Sequence, residues 1–158
     1  IPEAAFQVHG IGDDAVAGAP SFAAVAEEIV TYCGDAIPLA YNAEFDRRFL
    51  HAEFARSGRS LADAAIARSG VDWIDPLVWA RELQASERSR ALGDVCARLG
   101  IALEHAHRAT SDAEAALHVL LAFARDPRVP ERYGALVQEQ RRLARLQDER
   151  SRFWRGRS

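Results

Sequence analysis

A chain of 158 residues has the length of one globular domain, and 49% hydrophobic with 27% charged residues is an ordinary composition for a soluble domain with a real core. A formal net charge of −3 neither announces nor excludes a nucleic-acid binder, because a basic patch can sit on one face and metal ions can neutralise carboxylates locally. No apolar run reaches the ~20 residues of a membrane span and nothing resembles a signal peptide, while Cys33 and Cys96 fall within apolar helical patterns, so buried free thiols and a reducing, cytoplasmic setting are expected.

In chain order, residues 1–8 are short and mixed, and Val8-His9-Gly10-Ile11 leads into a turn-rich loop at Gly12-Asp13-Asp14. The first residue is Ile1 and the following stretch reads as the middle of a domain, which predicts a piece of something longer. Pro20 and Ser21 open a helix whose core stripe is Phe22, Val25, Ala26, Ile29 and Cys33, stopped by Gly34. Ile37 to Tyr41 reads as a buried strand ended by Asn42, after which a helix runs to Ser57-Gly58 with Phe45, Phe49 and Ala52 on its apolar face and Leu50 and Phe54 beside them.

Residues 60–70 are Ala-rich and mixed, and Val71 to Ile74 is a second candidate strand. Asp75-Pro76 caps and starts a helix with Leu77, Val78, Ala80 and Leu83, followed by a polar, solvated break in which Arg88 and Arg90 are candidate phosphate contacts. A helix from Ala91 to Leu99 ends at Gly100. Ser111 and Glu114 form an S-x-x-E capping box for the next helix, whose apolar face is Leu117, Leu120, Leu121 and Phe123. Beyond Pro130 the chain becomes charge-rich, with a thin apolar line through Leu136, Leu143 and Leu146 and seven arginines against three acids in residues 138–158, and reads as a helical appendage rather than core. Helix, buried strand, helix is the order of an α/β layered domain.

Two stretches carry candidate chemistry. Asp46 lies in the first turn of the helix that follows Asn42, and Asp112 lies where another helix begins, five residues after His107. Hydrolysis of a phosphodiester requires charge neutralised on phosphate, an activated water and a stabilised leaving oxygen, which two divalent ions held by carboxylates supply. Neutral imidazole titrates near working pH, so His107 is the candidate general base. The helix dipole alone favours an aspartate in a first turn. Two such acids with a histidine, in an α/β order, shift the weight toward a site.

Asn42-Ala43-Glu44-Phe45-Asp46 and His107-x-x-x-x-Asp112 resemble the second and third motifs of the DEDDh 3′-to-5′ exonucleases, the DnaQ-like family that includes polymerase III proofreading subunits. Val8-His9-Gly10-Ile11, Asp13-Asp14 and Ala19-Pro20-Ser21-Phe22 are similar to the family's segment before the second motif, and Leu92 to Ile101 to the helix before the third. The resemblance implies a ribonuclease H-like α/β fold, a mixed sheet flanked by helices. It also implies two metal ions, Mg²⁺ or Mn²⁺, held by Asp46 and Asp112; His107 as base; and Asn42, Phe45 and His9 near the terminal nucleotide. Tyr41 stands where a histidine is frequent in the family.

The family's first motif, Asp-x-Glu on a strand, has no counterpart, since the one D-x-E here is Asp112-Ala113-Glu114 on a predicted helix, where i and i+2 point about 200° apart. The expected organisation is a partial exonuclease domain over 1–126, lacking its first strands, and a charged helical C-terminal extension over 127–158. The expected partner is a single-stranded or frayed 3′ end of DNA, with RNA left open, and the extension is a candidate dock for a polymerase subunit. These residues alone are expected to be inactive. The competing readings are a non-catalytic interaction module on the same scaffold and another α/β metal-dependent phosphohydrolase.

Overall fold

The structure, a computed structural model, describes residues 1–58, 65, 66, 68, 70–103 and 109–155. Most of the Ala-rich stretch over 60–70, and His107 with its neighbours, lie outside the described residues. Helix α1 (Glu3–His9) ends at Gly10, whose φ of 69° suits a residue without Cβ, and α2 (Asp13–Val16) follows directly. The expected turn-rich loop is shorter than read, only Gly10 to Gly12: His9 closes α1 and Asp13 with Asp14 open α2, each helix begun by an acid that its dipole favours, Glu3 in α1 and Asp13 with Asp14 in α2.

Helix α3 (Phe22–Cys33) and α4 (Ala43–Arg56) pack together, with the rings of Phe22 and Phe54 edge to face at 4.9 Å. The inward stripe of α4 differs from the expected one. Ala43 and Phe54 are buried and Leu50 is half-buried, whereas Phe45 (68% exposed), Phe49 (61%) and Ala52 face outward. Both stripes carry bulky apolar residues, so periodicity alone did not choose between them. The choice is made at the helix start, where Asn42 adopts a left-handed φ of 68° and Asp75 holds the N–H groups of Asn42 and Ala43.

The expected mixed sheet reduces, among the described residues, to one parallel bridge between Leu39 and Ile74. Ala40 N–H donates to the Ile74 carbonyl at 3.1 Å and Ile74 N–H to the Pro38 carbonyl at 2.9 Å. Pro38 has no N–H to extend the ladder. On its other side the 73–75 backbone meets a side chain rather than a strand: Gln140 accepts from Asp75 N–H and donates to the Trp73 carbonyl.

Helix α5 (Pro76–Leu83) is the centre of the core, with α7 (Ala109–Phe123) and α8 (Tyr133–Arg155) packed on it and α6 (Leu92–Leu99) packed on α7. Val78, Trp79 and Ala80 of α5 meet Val95 and Cys96 of α6, Ala115, Val119 and Phe123 of α7, and Leu136, Val137 and Leu143 of α8. Burying a Val, Leu or Phe side chain there contributes roughly 1.5–3 kcal/mol. Three expectations change. The capping box fails because the chain is already helical at Ala109, which places Ser111 inside the helix. Its inner face uses small residues, Ala115 and Ala116, with Val119, so that α6 can approach, and leaves Leu117 and Leu121 exposed. The charge-rich segment after Pro130 is core over the first turns of α8, because Leu136, Val137, Gln140 and Leu143 recur at helical spacing beneath its arginines. Cys96 is buried and Cys33 half-buried, both as free thiols. Among the described residues no helix is long and apolar enough to cross a membrane.

Candidate active site

Two helix starts bring acids to one cleft. Asp46, in the first turn of α4, and Asp112, in the first turn of α7, both line a cavity of about 650 Å³ together with Leu39, Ala40, Tyr41 and Leu103. Asp94, in the first turn of α6, lines it too. Asp94 carries the same sequence signal as the other two, an acid at a helix start.

Burial raises the Asp46 carboxyl above its ordinary value, partly opposed by its own backbone N–H. The Cys96 thiol is pushed up by burial first and by the charge of Asp112 second. Among the described residues neither Asp46 nor Asp112 is ion-paired with an arginine. Unpaired hard oxygens converging on a cavity have the chemistry of divalent-cation ligands. They amount to part of a coordination shell: among the described residues no three His, Cys, Asp or Glu side chains stand close enough to hold an ion together.

The remaining candidate residues are dispersed. Phe45 lines an adjoining cavity of about 310 Å³ with Asp46, Phe49 and Trp73, an apolar recess beside the carboxylate. Asn42 is exposed at the N-terminus of α4, its carbonyl accepting from Phe45 N–H at 3.0 Å. His9 lines neither cavity, and its Nδ1 accepts from Ile11 N–H at 3.0 Å. Arg88 is exposed, and Arg90 turns inward to the Ala85 carbonyl instead of outward to an anion.

Two positioning residues were not recognised in the sequence. Tyr41 donates its hydroxyl proton to the Arg90 carbonyl at 2.6 Å, and its phenol is pushed up to about 12, first by burial and then by Asp75. It thereby ties the cavity wall to the 84–91 connection, which Arg98 braces from Gln84 and the Ser89 carbonyl. Asp75 caps two helices at once. Its carboxylate accepts from Leu77 N–H at 2.9 Å in α5 and from Asn42 and Ala43 N–H at 3.0 Å each at the start of α4. Burial raises the Asp75 carboxyl, while those three N–H groups pull it down. Its reading as a cap for its own helix was sound, but its second helix is more than thirty residues away in sequence.

The family described as Exonuclease matches residues 1–120. The chain is 34% identical over 117 residues to a protein named DNA polymerase III PolC-type of Streptococcus suis (strain 98HAH33), covering 74% of this chain and 8% of that protein. Proteins of the same name match at 34% over 128 residues in Streptococcus pneumoniae serotype 2 (strain D39 / NCTC 7466) and over 134 residues in Streptococcus thermophilus (strain ATCC BAA-491 / LMD-9), covering 81% and 85% of this chain. The chain spans 8% of the length of each of these relatives.

Proposed function

The chain belongs to the exonuclease family, DnaQ-like in type, and within it we propose that these residues carry the second and third motifs of a metal-dependent 3′-to-5′ exonuclease. The substrate is the single-stranded or frayed 3′ end of DNA, with RNA open, and the products are nucleoside monophosphates. The role proposed is proofreading or repair beside a polymerase III. What carries it is one observation: Asp46 and Asp112, from helices far apart in sequence, line one cleft.

In this proposal Asp46 and Asp112 hold the divalent ions, two Mg²⁺ or Mn²⁺, which when bound neutralise the scissile phosphate and stabilise the leaving oxygen. His107, outside the described residues, takes the proton of the attacking water. Phe45 walls the recess for the terminal base, Asn42 offers its side-chain amide from the N-terminus of α4, and His9, with Nδ1 engaged by Ile11, has Nε2 left for a phosphate or sugar. The complete fold is ribonuclease H-like, with the Leu39–Ile74 bridge as part of its sheet. The exonuclease part is 1–126, and 127–158 is an extension whose outer, arginine-rich end docks a polymerase subunit in the cytoplasm.

These 158 residues are inactive on their own in this proposal. Asp112-Ala113-Glu114 lies on α7, with Asp112 turned toward the cleft and Glu114 exposed, so it does not supply the missing pair. The test is release of nucleotides from 3′-labelled single-stranded DNA with Mn²⁺. The chain alone is expected to be silent, and a protein in which a strand bearing Asp-x-Glu precedes it is expected to degrade from the 3′ end and to lose that activity in Asp46→Ala and Asp112→Ala. Unchanged activity in either variant sinks the assignment.

A further inference from the structure

Among the described residues, Asp46 has no anchor of its own. Among the described residues its carboxylate meets only its own backbone N–H, so its position is inherited from the first turn of α4. That turn is held from outside by Asp75, whose Oδ1 accepts from Asn42 N–H and whose Oδ2 accepts from Ala43 N–H. The Asp75 backbone is in turn held by Gln140, which is 8% exposed and uses both ends of its amide: Oε1 accepts from Asp75 N–H at 2.8 Å and Nε2 donates to the Trp73 carbonyl at 2.9 Å. Two bonds from one rigid amide plane fix both the position and the tilt of the 73–75 backbone. Tyr133 and Arg141 grip Asp72 on one side and Gln147 grips the Val78 carbonyl on the other, so α8 clamps the whole 72–78 segment.

With the nuclease reading of Asp46 as its premise, we propose that Gln140 is a positioning residue for the candidate active site, setting the first turn of α4, and thereby Asp46, through Asp75. Helix α8 is then part of the catalytic apparatus although none of its residues lines the cleft.

The test is Gln140→Leu, which keeps the shape and removes both bonds, beside Gln147→Leu, which removes a bond from the same helix to α5. Amide exchange at Asn42 and Ala43 should quicken about tenfold in Gln140→Leu while Val119 keeps its protection, and Gln147→Leu should leave Asn42 and Ala43 unchanged. Gln140→Glu, which still accepts from Asp75 N–H, should fall between. In the unaltered protein, Asp75, Asn42 and Ala43 should open as one unit, a measurement that needs no variant. Mn²⁺ titrated into the chain should broaden the Asp46 and Asp112 signals, and Gln140→Leu should weaken that binding several-fold. Unchanged exchange at Asn42 and Ala43, or independent opening of Asp75, overturns the positioning role whether or not metal binds. Absence of Mn²⁺ broadening in the unaltered chain counts against the nuclease reading instead, leaving the exchange data to decide the relay.

Discussion

Replacing Asp75 by alanine removes the acceptor for three backbone N–H groups at the starts of α4 and α5. Losing an N-cap side chain costs about 0.5–2 kcal/mol per helix, so two helix starts give about 1–4 kcal/mol. Relief of the carboxylate burial that raises the Asp75 carboxyl returns part of this, and the expected net loss is about 2–3 kcal/mol. For a chain of this size that lowers Tm by about 4–12 °C. Asp75→Asn keeps one oxygen but points an amide donor at one of the N–H groups, and should lose about half as much. Urea and thermal unfolding of the chain measure both. A midpoint shift for Asp75→Ala within about 0.5 kcal/mol of the unaltered protein would refute the two-helix cap.

Asp46→Asn should raise Tm at neutral pH: the folded carboxyl is raised by burial, so the folded state binds the proton more tightly than the unfolded state and stability falls as pH rises through the folded pKa, a slope the variant lacks. In an active protein the same change should lower nucleotide release at least about a hundredfold, and a variant that is less stable yet fully active contradicts both halves. Asp126 is held down to about 2, chiefly by its side-chain bonds from Arg128. Its contribution is present above the unfolded value of 3.8 and lost as pH falls through about 2; carboxyl NMR should show this, and Arg128→Gln, which keeps the backbone N–H bond, should move Asp126 part of the way back toward the ordinary range. Leu143→Ala, at a side chain 3% exposed in the core, should cost about 2–5 kcal/mol, and Leu117→Ala, on an exposed face of α7, under about 1 kcal/mol. Equal losses by denaturant titration would contradict the core assigned to α8.

Local signals in the sequence were sufficient wherever one residue type decides the outcome. Pro20-Ser21 and Gly34 bound α3, Asp75-Pro76 starts α5, Gly100 ends α6, and the helix after Asn42 stops at Ser57-Gly58. Asp46 and Asp112 are legible as acids that each open a helix, but it is the family resemblance that pairs them in one site; both line the same cleft. What the sequence withheld depends on long-range geometry. The rotation of α4 is set by Asp75, the second edge of the 73–75 segment by Gln140, and the inner face of α7 by how closely α6 approaches. In α8 the apolar line of Leu136 and Leu143 is legible in the sequence, but its charge-rich surroundings favour an appendage, whereas these two residues and Val137 carry the helix into the core.

Gln140 also stands where a neighbouring strand would otherwise pair, and this bears on how far the chain can be trimmed. The matched family region ends at residue 120, a tempting place to cut. A protein ending there would lose Leu136, Val137 and Leu143 from its interior and leave the Trp73 carbonyl and Asp75 N–H bare beside exposed apolar surface. Open backbone groups next to apolar side chains are a template for self-association. Shortened versions are expected to clump rather than give a smaller folded domain, so α8 guards the chain against self-association as well as completing its core.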